Sequence, residues 1–205
     1  MKKYLVTTTL FALFWLVHPV WAMEIAPDKL VDRTVQEVMS IINQDEDIKA
    51  GNKDRIHSLI KNKILPHFDF TRMTQLAMGK NWKKAAPEQQ NELVEEFRTL
   101  LVRTYSNALS SYRDEIVKVS PLAALGDDVD ATVKTQIIQG KGKQPVHINY
   151  DMKKKPDGWK VYDVTVAGVS LVTNYRGSFN SQIRKGGVEG LIKKLTEKNH
   201  SLLGK

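Results

Sequence analysis

The chain has 205 residues, with 31 Lys and Arg against 23 Asp and Glu, no cysteine, 41% hydrophobic residues and only 12 Gly and 7 Pro. That composition excludes a collagen-like, repetitive or largely disordered chain. The missing cysteines exclude disulfides, Cys-ligated zinc, iron–sulfur clusters, thiol catalysis and a bacterial lipoprotein anchor. The formal charge of +8 suits an anionic partner without naming one.

Residues 1–22 read as a cleavable signal peptide. Lys2 and Lys3 form a positive start, Tyr4 to Val17 a mostly apolar run, Pro19 a break, and Val20-Trp21-Ala22 ends on the small residue that cleavage requires. The run is shorter than the roughly 20 apolar residues of a spanning helix and holds Thr7, Thr8 and Thr9. The expected product is residues 23–205, one exported and soluble domain, with a helical part over 27–112 and a sheet plus C-terminal helices over 113–198. Nucleic acid is not an expected partner for an exported chain.

Helices come first. After Pro27-Asp28, the residues Leu30, Val31, Thr34, Val35, Val38, Ile41 and Ile42 recur at helical spacing. A second helix is expected from Asn52 through Ile56, Leu59, Ile60 and Ile64 to Pro66, and a short third carries Met73, Leu76 and Ala77 up to Gly79. The longest starts at Pro87, a residue suited to a first helical position. Leu93, Phe97, Leu100, Leu101, Tyr105, Ala108, Leu109 and Tyr112 form its apolar stripe, and Glu92, Glu95, Glu96 and Arg103 its expected wet face.

The period then changes to two. Val129 to Ile137 and Val146 to Met152 alternate apolar with polar residues, joined by the turn Gly140-Lys141-Gly142-Lys143. Pro156-Asp157-Gly158 leads into a third strand, Trp159 to Val166, and Glu115 to Val119 reads as a fourth. Helical spacing returns at Leu171, Val172, Tyr175, Phe179 and Ile183, and Gly186-Gly187 separates these from Val188, Leu191, Ile192 and Leu195. Helices gathered on an antiparallel sheet of about four strands make an α+β fold.

Catalytic and metal patterns are thin. No two of His57, His67, His147 and His200 stand at the spacing of a helical metal pair. Asp127, Asp128 and Asp130 lack the glycine and closing glutamate of a calcium loop. Ser170 follows Gly168 but lacks the second glycine of a nucleophile elbow, and reads instead as a helix N-cap. The lysines at 80, 83, 84, 153–155, 193 and 194 read as solvated surface whose sum could steer the protein to an anionic surface. Eleven aromatic residues follow the signal segment, many on inward faces. Periodicity does not separate a filled core from a lined cavity.

The order of motifs says more. Phe68-Asp69-Phe70-Thr71-Arg72-Met73, Gly79-Lys80-Asn81-Trp82 and Pro87-Glu88-Gln89-Gln90 are followed by Phe97-Arg98 through Thr104-Tyr105. Then come Gly158-Trp159-Lys160-Val161-Tyr162-Asp163-Val164, Gly168-Val169-Ser170-Leu171-Val172, Asn174-Tyr175-Arg176, Phe179 and the tail Gly187 to Gly190-Leu191-Ile192. This series resembles the MlaC or toluene-tolerance family along nearly all of the expected mature chain. The sequence departs from the family at Ala167, where Glu is frequent, and at Ala86, where a capping Ser or Thr is usual.

The resemblance implies a fold similar to the nuclear-transport-factor-2 cone, a curved sheet wrapped by helices with further helices beside it. It implies a periplasmic phospholipid-binding protein that ferries its cargo between an outer-membrane lipoprotein–porin complex and an inner-membrane ABC transporter with its lipid-binding subunit. That work maintains the lipid asymmetry of the outer membrane. A monomer is expected, with no cofactor or metal beyond the lipid cargo.

For such a cavity the inward faces supply the lining. Phe70, Met73, Leu76, Phe97, Leu101 and Tyr105 are expected from the helices. Val133, Ile137, Val146, Ile148, Tyr150, Tyr162 and Val164 are expected from the sheet, and Val169, Leu171 and Tyr175 from the junction closing it. Arg98 and Arg176 are candidates for the lipid phosphate. The alternative is an enzyme of a cone-shaped fold, an isomerase or hydratase with an acid in its cavity. Asp163 is its candidate, although alternation with Tyr162 and Val164 turns it to the other face.

Overall fold

The computed structural model describes residues 25–203 except 112–114, 124–127 and 141, and omits the side chains of 107–111. The expected signal peptide, Tyr112, Asp127 and Lys141 lie outside the described residues, as do the side chains of Ala108 and Leu109. Among the described residues no helix is long and apolar enough to cross a membrane.

Helix α1 spans Pro27–Gln44 and starts on its proline. Two short helices follow, α2 (Glu46–Lys49) and α3 (Lys53–Leu59), each with a polar cap. Asp45 accepts from the Ile48 N–H, and Asn52 from the N–H groups of Asp54 and Arg55. The sequence suggested one helix running from Asn52 to Pro66. Instead α3 loosens into a π-helical turn at Ile60–Ile64 and tightens into a 3₁₀ turn at Leu65–His67. Pro66 lies inside that 3₁₀ turn, where its missing N–H costs little.

Phe68 forms a lone parallel bridge to Val161, and the Asp69 N–H donates to Val161 O at 2.8 Å. Those bonds pin the segment to the sheet just before α4 (Phe70–Met78), which Asp69 caps through the Arg72 N–H at 2.8 Å. After a 3₁₀ stretch at Gly79–Lys84 comes α5 (Pro87–Ser111). Ala86 cannot cap α5 with a side chain, but Gln89 Oε1 accepts its N–H at 3.1 Å, half of a capping box.

Among the described residues the sheet has five antiparallel strands in sequential order: β1 Ile116–Val119, β2 Asp130–Ile138, β3 Val146–Lys155, β4 Gly158–Val166 and β5 Val169–Ser170. The fifth is two residues long, too short for alternation to reveal. Helix α6 spans Leu171–Leu202 and breaks at Gly186-Gly187, where Gly187 adopts φ +66°. The α+β class and the sheet wrapped by helices are as the sequence suggested.

One cluster of buried side chains joins α4, α5 and α6 around Phe97, Phe179, Leu93 and Leu191. Phe97 meets Tyr175 and Phe179 edge-on, each at 5.0 Å between ring centres. A second cluster sets Leu30 and Val31 of α1 against Val133, Met152, Trp159, Val161 and Val164 of the sheet. The expected wet face of α5 is wet only in part. Asn199 of α6 donates to Glu96 Oε2 at 2.5 Å, and Arg103 donates to Asn199 O at 2.6 Å. The second half of α6 therefore covers that face.

Candidate functional site: two apolar cavities on one sheet face

Two cavities lie against the inner face of the sheet. The first, about 200 Å³, is bounded by α1 and the sheet. Leu30, Val31, Val35, Val38 and Met39 face Val117, Ile137, Ile148, Tyr150, Met152 and Val161 across it. The second, about 330 Å³, is bounded by the irregular turn at 60–68, α4, α5, the sheet and the start of α6. Ile60, Leu65, Phe70, Met73, Leu101, Val102 and Tyr105 face Ile148, Tyr150, Val164, Val166 and Leu171.

Ile64, Phe68, Ile148 and Tyr150 line both cavities. The partition is thus two side chains of the irregular turn facing two of β3. The π turn matters here. By inserting a residue into the helical ladder it shifts the phase that Ile56 and Ile60 would otherwise dictate, and such insertions concentrate at functional sites. The polar side chains at these walls are few: Thr34 and His67 in the first, Ser106 and the Tyr105 phenol in the second, and the Tyr150 phenol shared by both.

Several residues expected from the sequence meet here. Phe70, Met73, Leu101, Tyr105, Ile148, Tyr150, Val164 and Leu171 line the second cavity, with Tyr105 at its edge and 41% exposed; Ile137 lines the first. Others do not. Phe97 and Val133 are wholly buried in the core clusters, and Leu76 and Tyr175 pack against the Phe97 cluster. Burial pushes the Tyr175 phenol above its ordinary value. Val146 pairs with Ile137 near the start of β3 and lines neither cavity.

Tyr162 is on the wrong face for the lining. Between Asp151 and Met152 the β3–β4 register shifts, so that Asp151 faces Asp163 but Met152 faces Val161. The extra residue is Tyr162, and the bulge reverses the alternation at that point. Its phenol lies half-buried and is pushed up by burial and by the charges of Asp151 and Asp130. Val169 is also misplaced: it stands 58% exposed on β5, beyond the turn that closes the sheet.

Both arginine candidates are engaged elsewhere. Arg98 forms an ion pair with Glu95 one turn earlier on α5. Arg176 donates its Nε–H to Leu76 O at 2.8 Å and so braces α6 against α4.

Asp163 lines neither cavity. It is buried, and its Oδ1 accepts from the N–H groups of Val164 at 2.8 Å and Val172 at 3.1 Å. Ser170 donates its hydroxyl to Oδ2 at 2.5 Å while its oxygen accepts from the Thr173 N–H at 3.0 Å. The two groups together organise the start of α6, and Ser170 is its N-cap. Among the described residues no three His, Asp or Glu side chains are arranged to hold a metal ion.

The contribution of α1 and of the turn at 60–68 escaped the sequence reading. The apolar stripe of α1 was visible, but a stripe does not say whether it meets side chains or empty space. The π turn leaves no periodic signal at all.

With this geometry, residues 32–197 match the profile of the family described as "MlaC protein". The chain belongs to the MlaC family. A relative in Haemophilus influenzae, the intermembrane phospholipid transport system binding protein MlaC, is 24% identical over 199 residues, covering 96% of this chain and 93% of that protein. The toluene tolerance protein ttg2D of Pseudomonas putida is 23% identical over 162 residues, covering 78% and 74%. Among solved structures, a phospholipid-binding protein from Ralstonia solanacearum in complex with a phospholipid is 38% identical. It superposes with a TM-score of 0.80, covering 87% of this MlaC-family chain and 99% of that one.

Proposed function

We propose that this MlaC-family protein is a phospholipid carrier that moves its cargo between the two membranes of a Gram-negative envelope. The observation that carries the reading is the pair of adjoining apolar cavities that share Ile64, Phe68, Ile148 and Tyr150 as lining. The acyl tails occupy these cavities between sheet and helices. The phospholipid in the Ralstonia solanacearum relative and the transport role in the Haemophilus influenzae relative's name support the same reading.

The energetics favour a binding role. About 30 methylenes at about 0.8 kcal/mol each represent of order 20 kcal/mol or more of unfavourable hydration. A carrier must offset nearly all of it, and a wall that is almost entirely apolar does so. An isomerase or hydratase would need an acid or base in the cavity. Asp163, the candidate for that role, instead holds the first turn of α6 together, which favours the carrier.

On this reading residues 1–22 direct export to the periplasm, the mature chain acts as one domain and as a monomer, and no cofactor or catalytic step is needed. Its docking partners are an outer-membrane lipoprotein–porin complex and an inner-membrane ABC transporter with a lipid-binding subunit. The test is transfer of a fluorescent phospholipid from donor to acceptor vesicles. The rate should rise in proportion to added protein; a rate unchanged by protein would count against the proposal.

A further inference from the structure

A third cleft, of mixed polarity and about 650 Å³, lies between the start of α1 and the β3–β4 hairpin. Leu30 and His67 line both this cleft and the first apolar cavity, so the two adjoin at that end. The cleft wall carries four cations, Arg33, Lys154, Lys155 and Lys160, against the single carboxylate of Asp157. A phospholipid has this same division, an apolar body ending in an anionic phosphate.

The cations are held in different ways. Lys160 Nζ donates to Asp157 Oδ2 and to Pro66 O, both at 2.9 Å. An ammonium has three donors, so these two bonds fix its position and leave a third N–H to offer. Lys155 Nζ is 2.8 Å from Asp69 Oδ2, the same residue that caps α4. Arg33 makes no hydrogen bond or ion pair among the described residues. It is exposed, and its charge reaches both Glu37 and His67.

We propose that this cleft receives the phosphate of the bound phospholipid, with Arg33 as its main partner and Lys160 as a second. The inference rests on the carrier reading above. A guanidinium matches a phosphate bidentately, and a cleft with an excess of one sign of charge draws in an anion. His67 sits at the boundary with the tail cavity, and burial, then Lys160 and Arg33, hold its pKa below the ordinary value. Neither Arg98 nor Arg176 lines this cleft or the two apolar cavities.

The test compares two ligands with identical fluorescent tails, a phosphatidylethanolamine and a diacylglycerol, on the mature protein freed of lipid. The wild type should hold the phospholipid about tenfold more tightly than the diacylglycerol, the value of one charge-assisted contact. Arg33→Glu should remove that preference while diacylglycerol affinity stays the same. Lys160→Gln should shift the preference in the same direction by less. A thermal melt checks that each variant is folded.

Phospholipid affinity unchanged in both folded variants would overturn the assignment, and so would an equal loss for both ligands. Excess inorganic phosphate should leave the bound phospholipid in place. Displacement by phosphate alone would overturn the assignment too, because it would mark a general anion site. If the wild type bound diacylglycerol but showed no preference for phospholipid, the cleft proposal would fail and the apolar cavities would stand. If it bound neither, the carrier reading itself would fall.

Discussion

Ser170 Oγ donates to Asp163 Oδ2 at 2.5 Å, and Asp163 Oδ1 accepts the Val172 N–H at 3.1 Å. The two residues that looked most like catalytic candidates in the sequence thus satisfy the first turn of α6, on which the wall of the second cavity depends through Leu171. Replacing Asp163 by Ala takes this acceptor away from the part-buried Ser170 hydroxyl and from the N–H groups of Val164 and Val172. The expected cost is roughly 2–4 kcal/mol, read as a lower urea midpoint with an unchanged slope. Asp163→Asn should cost less, since it keeps an acceptor in place.

The cavity partition gives a sharper pair of variants. Ile148→Trp places an indole where both cavities meet, and should abolish phospholipid retention while the melting temperature holds or rises. Val169→Glu places its charge in solvent, because Val169 is exposed on β5. Lipid extracted from that variant should equal the wild-type amount. Loss of lipid from Val169→Glu, with Ile148→Trp still loaded, would place the tails elsewhere.

Ala167 has φ +49° in the turn between β4 and β5, beside Gly168 at +84°. A left-handed conformation costs a non-glycine residue about 1 kcal/mol or more. Ala167→Gly should therefore raise stability by up to about 1 kcal/mol, the relief of strain being partly offset by a more flexible unfolded chain. Differential scanning calorimetry would register this as a rise of a few degrees.

His67 gives a pH dependence with a definite sign. Burial, then Lys160 and Arg33, hold its imidazole below the ordinary 6.5, with Glu37 opposing them. In the folded protein the neutral form is favoured, so its stabilising contribution is complete above 6.5 and is lost as pH falls toward the depressed folded value. His67→Gln should flatten the stability curve on the acid side of neutrality. Urea midpoints at a series of pH values would show it; parallel curves for variant and wild type would contradict the assignment.

The sequence made the helix-then-sheet-then-helix order legible because caps, prolines and a change of period mark it directly. Pro87 opens α5, Ser170 caps α6 and Gly186-Gly187 breaks it, all as residue chemistry suggests. The site was legible only in part. Strand alternation placed Ile148, Tyr150 and Val164 at the cavities, but the bulge that displaces Tyr162 depends on how β3 and β4 pair, which neither strand encodes alone. Val133 and Ile137 have the same pattern on β2, yet one is core and the other cavity wall. What opposes each of them is set by α1 and the turn at 60–68, at a distance in the chain.

In the proposed function the two adjoining cavities hold one diacyl phospholipid. Native mass spectrometry of residues 23–205, purified without detergent and with lipid extraction alongside, tests this. The expected result is a stoichiometric added mass that extracts as diacyl phospholipid and disappears in Ile148→Trp. A bare protein mass, unchanged after incubation with phospholipid vesicles, would contradict it.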